Sequence, residues 1–261
     1  MSSARLEGKT IIVTGGGSGI GETAGKLFAQ HGAQVVLADI NPGAAERVAK
    51  EIDAEGGTAF AVGVDVTNLA DNEAMIEATV EKFGKIDGIY VNAGVPGGHT
   101  AHGITAEEWQ HVIAVNLTGA FYSAKAAVPV FLKQGHGNIL FQASICATSG
   151  IKGTVSYSAS KAGVVGLTYQ MAIEYADQGI RVNSLSPGTT PTPFVQKLYT
   201  ERAAIRGTTA EGDLERTAGS YPMKRLGTTE EIANLALFML SDESSFITGA
   251  DIPVDGGFSA G

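Results

Sequence analysis

The chain has 261 residues, a net charge of −9 and a pI near 5.0, and its 18 basic residues form no stripe able to neutralise phosphates along a duplex, which excludes nucleic acid as a partner. No composition break divides it, and no apolar run is long enough to cross a membrane. The single cysteine, Cys146, rules out an internal disulfide framework; with an N-terminus that lacks the apolar core of a signal peptide, it predicts a soluble cytoplasmic protein.

Taken in order, the first buried strand reads as Lys9–Val13, followed by the glycine run Gly15 to Gly21 and a helical pattern of Ile20, Ala24, Leu27 and Phe28. A second strand, Val35–Ala38, ends in Asp39, and a helix from Pro42 to Glu55 presents Ala44, Val48 and Ile52 on one face. Thr58–Val66 is the third strand, Asp71–Phe83 the next helix and Ile86–Val91 the fourth strand. An irregular stretch through Gly103 precedes helices at Glu107–Val115 and from Asn116 toward Leu132. Gly137–Ala143 is the fifth strand, Ser156–Gln178 a long helix and Ile180–Ser186 the sixth strand, closed by Pro187 and Gly188. The pattern loosens over 189–221, which reads as a mobile lid, then tightens into an apolar helix at Glu230–Leu240. Ile252–Val254 is a seventh strand, placed at an edge because Pro253 lacks an N–H. This alternation predicts a single-domain Rossmann-type α/β fold, a doubly wound parallel sheet with helices on both faces.

A strand, a glycine turn and a helix N-terminus together make an anion site, because open backbone N–H groups and the positive end of the helix dipole converge there. The order Thr14-Gly15-x-x-x-Gly19-x-Gly21 departs from the common dinucleotide fingerprint, and a simple β-to-α turn would use the same glycines. A Walker-type loop is excluded, since no Gly-Lys-Ser/Thr follows. Asp39 lies 18 positions beyond Gly21, near the spacing at which an acid reaches an adenosine ribose. The two signals together point to a nucleotide. On a helix, Tyr157 and Lys161 are four residues apart and share a face, so an ammonium can favour a phenolate that otherwise forms near ~10. Ser144 follows the fifth strand, on the rim where such sheets bind ligands, and can donate to a substrate oxygen.

These residues, with Asp65-Val66, Asn92-Ala93-Gly94, Asn116, and Pro187-Gly188 with Thr192, stand in the order of the short-chain dehydrogenase/reductase family, which the whole chain resembles. The resemblance implies that Tyr157 is the general acid/base, that Lys161 depresses its pKa and holds the nicotinamide ribose, and that Ser144 orients the substrate oxygen. It implies that Asn116 kinks its helix and holds a relay water. Cofactor contacts fall to Gly15, Ser18, Gly19, Ile20, Gly21, Asp39, Asp65, Val66, Asn92 and Gly94, and to Pro187, Gly188 and Thr192 around the carboxamide. The family commonly has a second asparagine where Val91 stands, so altered stability is expected there more than lost catalysis.

The expected activity is oxidoreduction of a secondary alcohol or ketone, with NAD preferred over NADP because no Lys or Arg stands in Gly15–Glu22 or just after Asp39. A non-catalytic NAD-binding regulator would keep the fold but needs none of Ser144, Tyr157 and Lys161. An epimerase or dehydratase of the extended relatives would carry a longer C-terminal domain. His99, His102 and His111 invite a metal, yet no Cys or acid completes a set in the sequence nearby, so none is expected and His99 becomes a candidate substrate contact. The substrate pocket is expected from 95–102, 146–152 and 189–221. A homotetramer is expected by resemblance, and because Val164, Val165, Leu167, Leu235, Leu237 and Phe238 spread over more than one helix face.

Overall fold

The computed structural model describes residues 4–260, in the element order β1 (Thr10–Thr14), α1 (Gly19–Gln30), β2 (Gln34–Asp39), α2 (Pro42–Ala54), β3 (Thr58–Gly63), α3 (Leu69–Phe83), β4 (Gly88–Val91), α4 (Ala106–Ile113), α5 (Gly119–Gln134), β5 (Gly137–Gln142), α6 (Val155–Tyr175), β6 (Ile180–Pro187), α7 (Pro193–Arg206), α8 (Ala210–Ser220), α9 (Thr229–Leu240) and β7 (Asp251–Val254). The seven strands form one parallel sheet in the order β3-β2-β1-β4-β5-β6-β7. β7 is an edge, where Pro253 is tolerated.

Alternation along each strand feeds two cores. Ile12, Val36, Ile89 and Ile139 pack on α3, α5 and α6, while Ile11, Val13, Val35, Leu37 and Leu140 pack on α1, α2 and α9. The sheet is therefore doubly wound. The chain runs outward from β1 to β3 and then returns to place β4 on the other side of β1, so a crevice opens between the carboxyl ends of β1 and β4. Val91, in the position of the family's asparagine, is buried in the core of the α3/α5/α6 side.

Several boundaries differ from expectation for local reasons. β3 stops at Gly63, because the Asp65 carboxylate accepts from the Thr67 N–H and hydroxyl at 2.9 and 2.7 Å and turns the chain away. β4 begins at Gly88, since the Asp87 carboxylate is spent on the Thr10 N–H at 2.8 Å. α4 and α5 are joined by one π-helical turn, Ala114–Thr118, with Asn116 inside it. The segment 189–221 holds two helices, α7 and α8, capped by Thr192 and Thr209.

The apolar residues taken as surplus are mostly used within the chain: Val164, Val165 and Leu237 are buried, and Leu167, Leu235 and Phe238 pack against the two cores. The exposed large apolar side chains are others, among them Trp109, Phe121, Tyr169, Ile173 and Phe246. Among the described residues no helix is long and apolar enough to cross a membrane.

Candidate active site

A cleft of about 440 Å³ lies along the carboxyl ends of the central strands. At one end the loop from β1 to α1 bends through Gly15 and Gly19, both with positive φ (+66° and +56°), a conformation that costs glycine nothing. A Cβ on Gly15 would stand 3.0 Å from the Ala93 Cα, and one on Gly21 would drive into the Gly15 carbonyl oxygen. The backbone is therefore bare and close at the mouth of α1, whose N-cap, Ser18, makes no side-chain cap bond. Such a cradle fits a diphosphate. Gly21 shapes the loop from behind, while Gly15, Ser18, Gly19 and Ile20 line the cleft.

Asp39, at the end of β2, shapes the same loop. Its two carboxylate oxygens accept from the Gly17 and Asn41 N–H groups, each at 2.9 Å, which fixes the carboxylate at the cleft wall. Arg47, on α2, reaches the back of the loop and donates to the Gly17 carbonyl at 3.0 Å, a contact between distant positions that the local sequence does not announce. Its charge is spent on Glu22 and Glu51. Asp65 and Val66 line the cleft beyond β3. Asn92 ties β4 to β1: its side-chain amide donates to the Thr14 carbonyl at 3.0 Å, and the Thr14 hydroxyl accepts from the Asn92 and Ala93 N–H groups. At the other end Pro187, Gly188 and Thr192 line the wall, and Thr192 reaches back so that a Cβ on Gly19 would touch it at 3.4 Å.

Between these ends the polar groups converge. Gly94 leaves room where a Cβ would stand 3.3 Å from the Asn116 Oδ1 and 3.7 Å from the Lys161 Nζ. Asn116, held in the π-turn, accepts from the Val95 N–H at 2.8 Å and donates to the Val95 carbonyl at 2.9 Å. Lys161 is almost fully buried and donates to the Gln142 carbonyl at 2.7 Å. Its Nζ lies 5.6 Å from the centre of the Tyr157 ring, over the face. Ser144, just past β5, accepts from the Cys146 N–H at 3.2 Å and lies beside the Tyr157 hydroxyl.

Burial acts on both members of the pair. Burial pushes the Tyr157 phenol well above its ordinary range, with the Ser144 hydrogen bond pulling the other way, and burial brings the Lys161 amine down to about 8. The amine faces the ring and is bonded to the Gln142 carbonyl. His99 does not line the cleft and pairs with Glu108 at 3.4 Å; His111 lines the mouth instead. Among the described residues no group of three His, Cys, Asp or Glu side chains could hold a metal.

Some contributors carry no sequence motif. Gln142, the acceptor for Lys161, also accepts from the Tyr90 hydroxyl, and Phe194 on α7 packs its ring 6.1 Å from that of Tyr157. Phe194, Leu198, Tyr199 and Arg202 make α7 a wall of the cleft, and a Thr-Pro start to a helix was the one signal for it.

A family model described as enoyl-(acyl carrier protein) reductase matches residues 15–259. The chain is 39% identical, over 99% of both sequences, to a 2-(S)-hydroxypropyl-CoM dehydrogenase of Xanthobacter autotrophicus. It is 39% identical to a cyclohexanol dehydrogenase of Acinetobacter sp., over 99% of this chain and 98% of that one. The solved structure of levodione reductase superimposes with a TM-score of 0.94 at 34% identity, covering 98% of this chain and 99% of the other.

Proposed function

The chain belongs to the short-chain dehydrogenase/reductase family, and we propose that it is an NAD-dependent oxidoreductase that moves a hydride between nicotinamide and a secondary alcohol or the corresponding ketone. The observation that carries this reading is that Ser144, Tyr157 and Lys161 line the same cleft as the glycine cradle and Asp39. A protein that only sensed NAD would need the second set and none of the first.

When bound, the nicotinamide supplies the hydride acceptor, or in its reduced form the donor. The chain's own residues do the rest. Tyr157 takes the proton from the substrate hydroxyl, or returns it to the carbonyl oxygen. Ser144 donates to that oxygen and holds it against the phenol. Lys161 keeps a cation beside the ring and a donor toward the ribose, and Asn116 fixes Val95 and the floor between them. Gly15, Ser18, Gly19 and Ile20 cradle the diphosphate with Gly21 shaping the cradle from behind, Asp39 holds the adenosine ribose, and Asp65 with Val66 the adenine. Asn92 and Gly94 form the central groove, and Pro187, Gly188 and Thr192 the carboxamide end. Reduction of NAD with a panel of cyclic diols, steroids and sugars, followed by NADH absorbance, tests the reading, with ketones in the reverse direction. Absence of turnover with every member would favour the sensor.

Two further points belong to the same proposal. The α7–α8 segment acts as a lid: among its described side chains only Ala203 and Asp213 are buried, and it is tied to the body by few bonds, such as the Arg202 guanidinium with the Gly153 carbonyl. The active form is a cytoplasmic homotetramer, because Trp109 and Phe121 on α4 and α5, and Tyr169 and Ile173 on α6, leave apolar surface that closed two-fold contacts would cover.

A further inference from the structure

The chain has seven arginines. Arg5, Arg47, Arg206, Arg216 and Arg225 are in ion pairs with carboxylates, and Arg181 is satisfied by the carbonyls of Met239, Ser241 and Ile247. Arg202 differs from all six. It is half-buried, no carboxylate lies within ion-pair distance of it among the described residues, and its one hydrogen bond is from Nη2 to the Gly153 carbonyl at 2.9 Å. A guanidinium has five N–H donors in a fixed fork, so most of this one's capacity is unspent. A cation withdrawn from water without a counter-charge costs stability, and burial does weaken its hold on the proton.

Its position says what the cost is for. Arg202 projects from α7 into the cleft on the side of Ser144, where its field reaches the Cys146 thiol, two residues beyond that serine. The acidic residues lining the cleft, Asp39 and Asp65, are both at the adenosine end. The substrate side carries Arg202, with Lys161 between the two ends, so a protein of net charge −9 has a cationic substrate pocket.

We propose that Arg202 makes the site selective for secondary alcohols or ketones that carry an anionic group, a carboxylate, sulfonate or phosphate, on the arm extending from the reacting carbon toward α7. A guanidinium fork matches any of these oxyanions in a bidentate way. The proposal rests on the oxidoreductase reading and adds a substrate class to it. Docking of the anion would also fasten α7 over the cleft, since the residue that binds it belongs to the lid.

The test compares 4-oxopentanoate with its methyl ester, and the sulfonate and phosphate analogues of the same ketone, on wild type and on Arg202→Gln and Arg202→Lys. Glutamine keeps an N–H donor on a shorter side chain and carries no charge, while lysine keeps the charge, so the two variants together separate charge recognition from a mere strap. Binding is read by calorimetry on protein saturated with NAD, and turnover by NADH oxidation. Wild type should prefer at least one anion over the ester by about 10-fold or more, and Arg202→Gln should lose about 10- to 100-fold on the anion, mainly in KM, the range for a charged hydrogen bond, while the ester changes less than about threefold. Arg202→Lys should recover part of the loss, and the analogue most affected identifies the anion. Equal binding of every anion and the ester by wild type, or equal losses on both in Arg202→Gln, would overturn the proposal. In either case turnover of the ester would leave the oxidoreductase reading standing, and its absence with all probes that bind would count against that reading instead.

Discussion

Replacing Asp39 with alanine should change which dinucleotide the protein prefers. The carboxylate is half-buried and held in place by the Gly17 and Asn41 N–H groups, so it cannot swing away from a 2′-phosphate. Two unit charges about 4 Å apart repel by about 1 kcal/mol in water and about 4 kcal/mol near a protein surface. That corresponds to between about fivefold and about a thousandfold, and the half-buried carboxylate argues for the middle of that range. The cations beside the loop do not offset it: Arg47 is bonded to Glu22 and Glu51, and Lys26 pairs with the same two acids, so the cluster is neutral. Wild type should therefore show kcat/KM for NADH at least about tenfold above that for NADPH with any active ketone. In Asp39→Ala the NADH value should fall and the NADPH value should rise, narrowing the ratio by about tenfold. The loop also loses two anchoring acceptors, so a modest drop in Tm is expected alongside. Equal efficiency with both cofactors in the wild type would refute the reasoning, since it would mean that the carboxylate does not meet the ribose.

Gly21→Ala places a methyl against the Gly15 carbonyl oxygen and 2.7 Å from the Asn92 side-chain nitrogen, and the backbone atom cannot step aside. Overpacking of this kind costs about 1–3 kcal/mol, and NADH binding followed by fluorescence should weaken at least about tenfold; unchanged affinity would show that the loop is freer than its contacts imply. Lys161 titrates near 8 when folded and 10.5 when unfolded, so between these values the unfolded chain holds the extra proton and stability rises with pH. With no cofactor added, wild type should gain about 2 kcal/mol from pH 8 to 10 relative to Lys161→Met, in which this contribution is absent, by denaturant titration; a flat difference would contradict the buried amine. Tyr157, pushed upward, acts in the opposite sense only above its ordinary range and is common to both proteins. Light scattering at micromolar concentration should give four times the chain mass, and Ile173→Glu, at a residue 84% exposed in the single chain, should lower it; a monomer in the wild type would remove the assembly.

The fold was legible because alternating strand and helix periods leave few topologies, and the glycine loop, Asp39 and the Tyr157–Lys161 spacing are local patterns that the fold brings to one cleft. What was not legible depends on distant partners. The ring-facing position of Lys161 follows from its bond to Gln142, 19 residues earlier, and no local pattern announces that acceptor. Arg47 meets Gly17 from 30 positions away. The order of α7 and α8 was hidden because these helices are polar and their described side chains weakly buried, so a loose sequence pattern was a fair description of their packing and a poor one of their backbone. The residues taken as an oligomer surface were apolar for the sake of two cores, which periodicity along one helix cannot distinguish from an interface.

The central claim is that Tyr157 moves the proton, and the Phe variant tests it most directly, because phenylalanine keeps the ring packed on Phe194 and beneath Lys161 while removing only the hydroxyl. Tyr157→Phe should bind NADH as wild type does and keep its Tm within a few degrees, while kcat falls by about 10²–10⁴-fold, the span that general acid–base catalysis supplies. A Tyr157→Phe protein that binds NADH normally and turns over at the wild-type kcat would contradict the account.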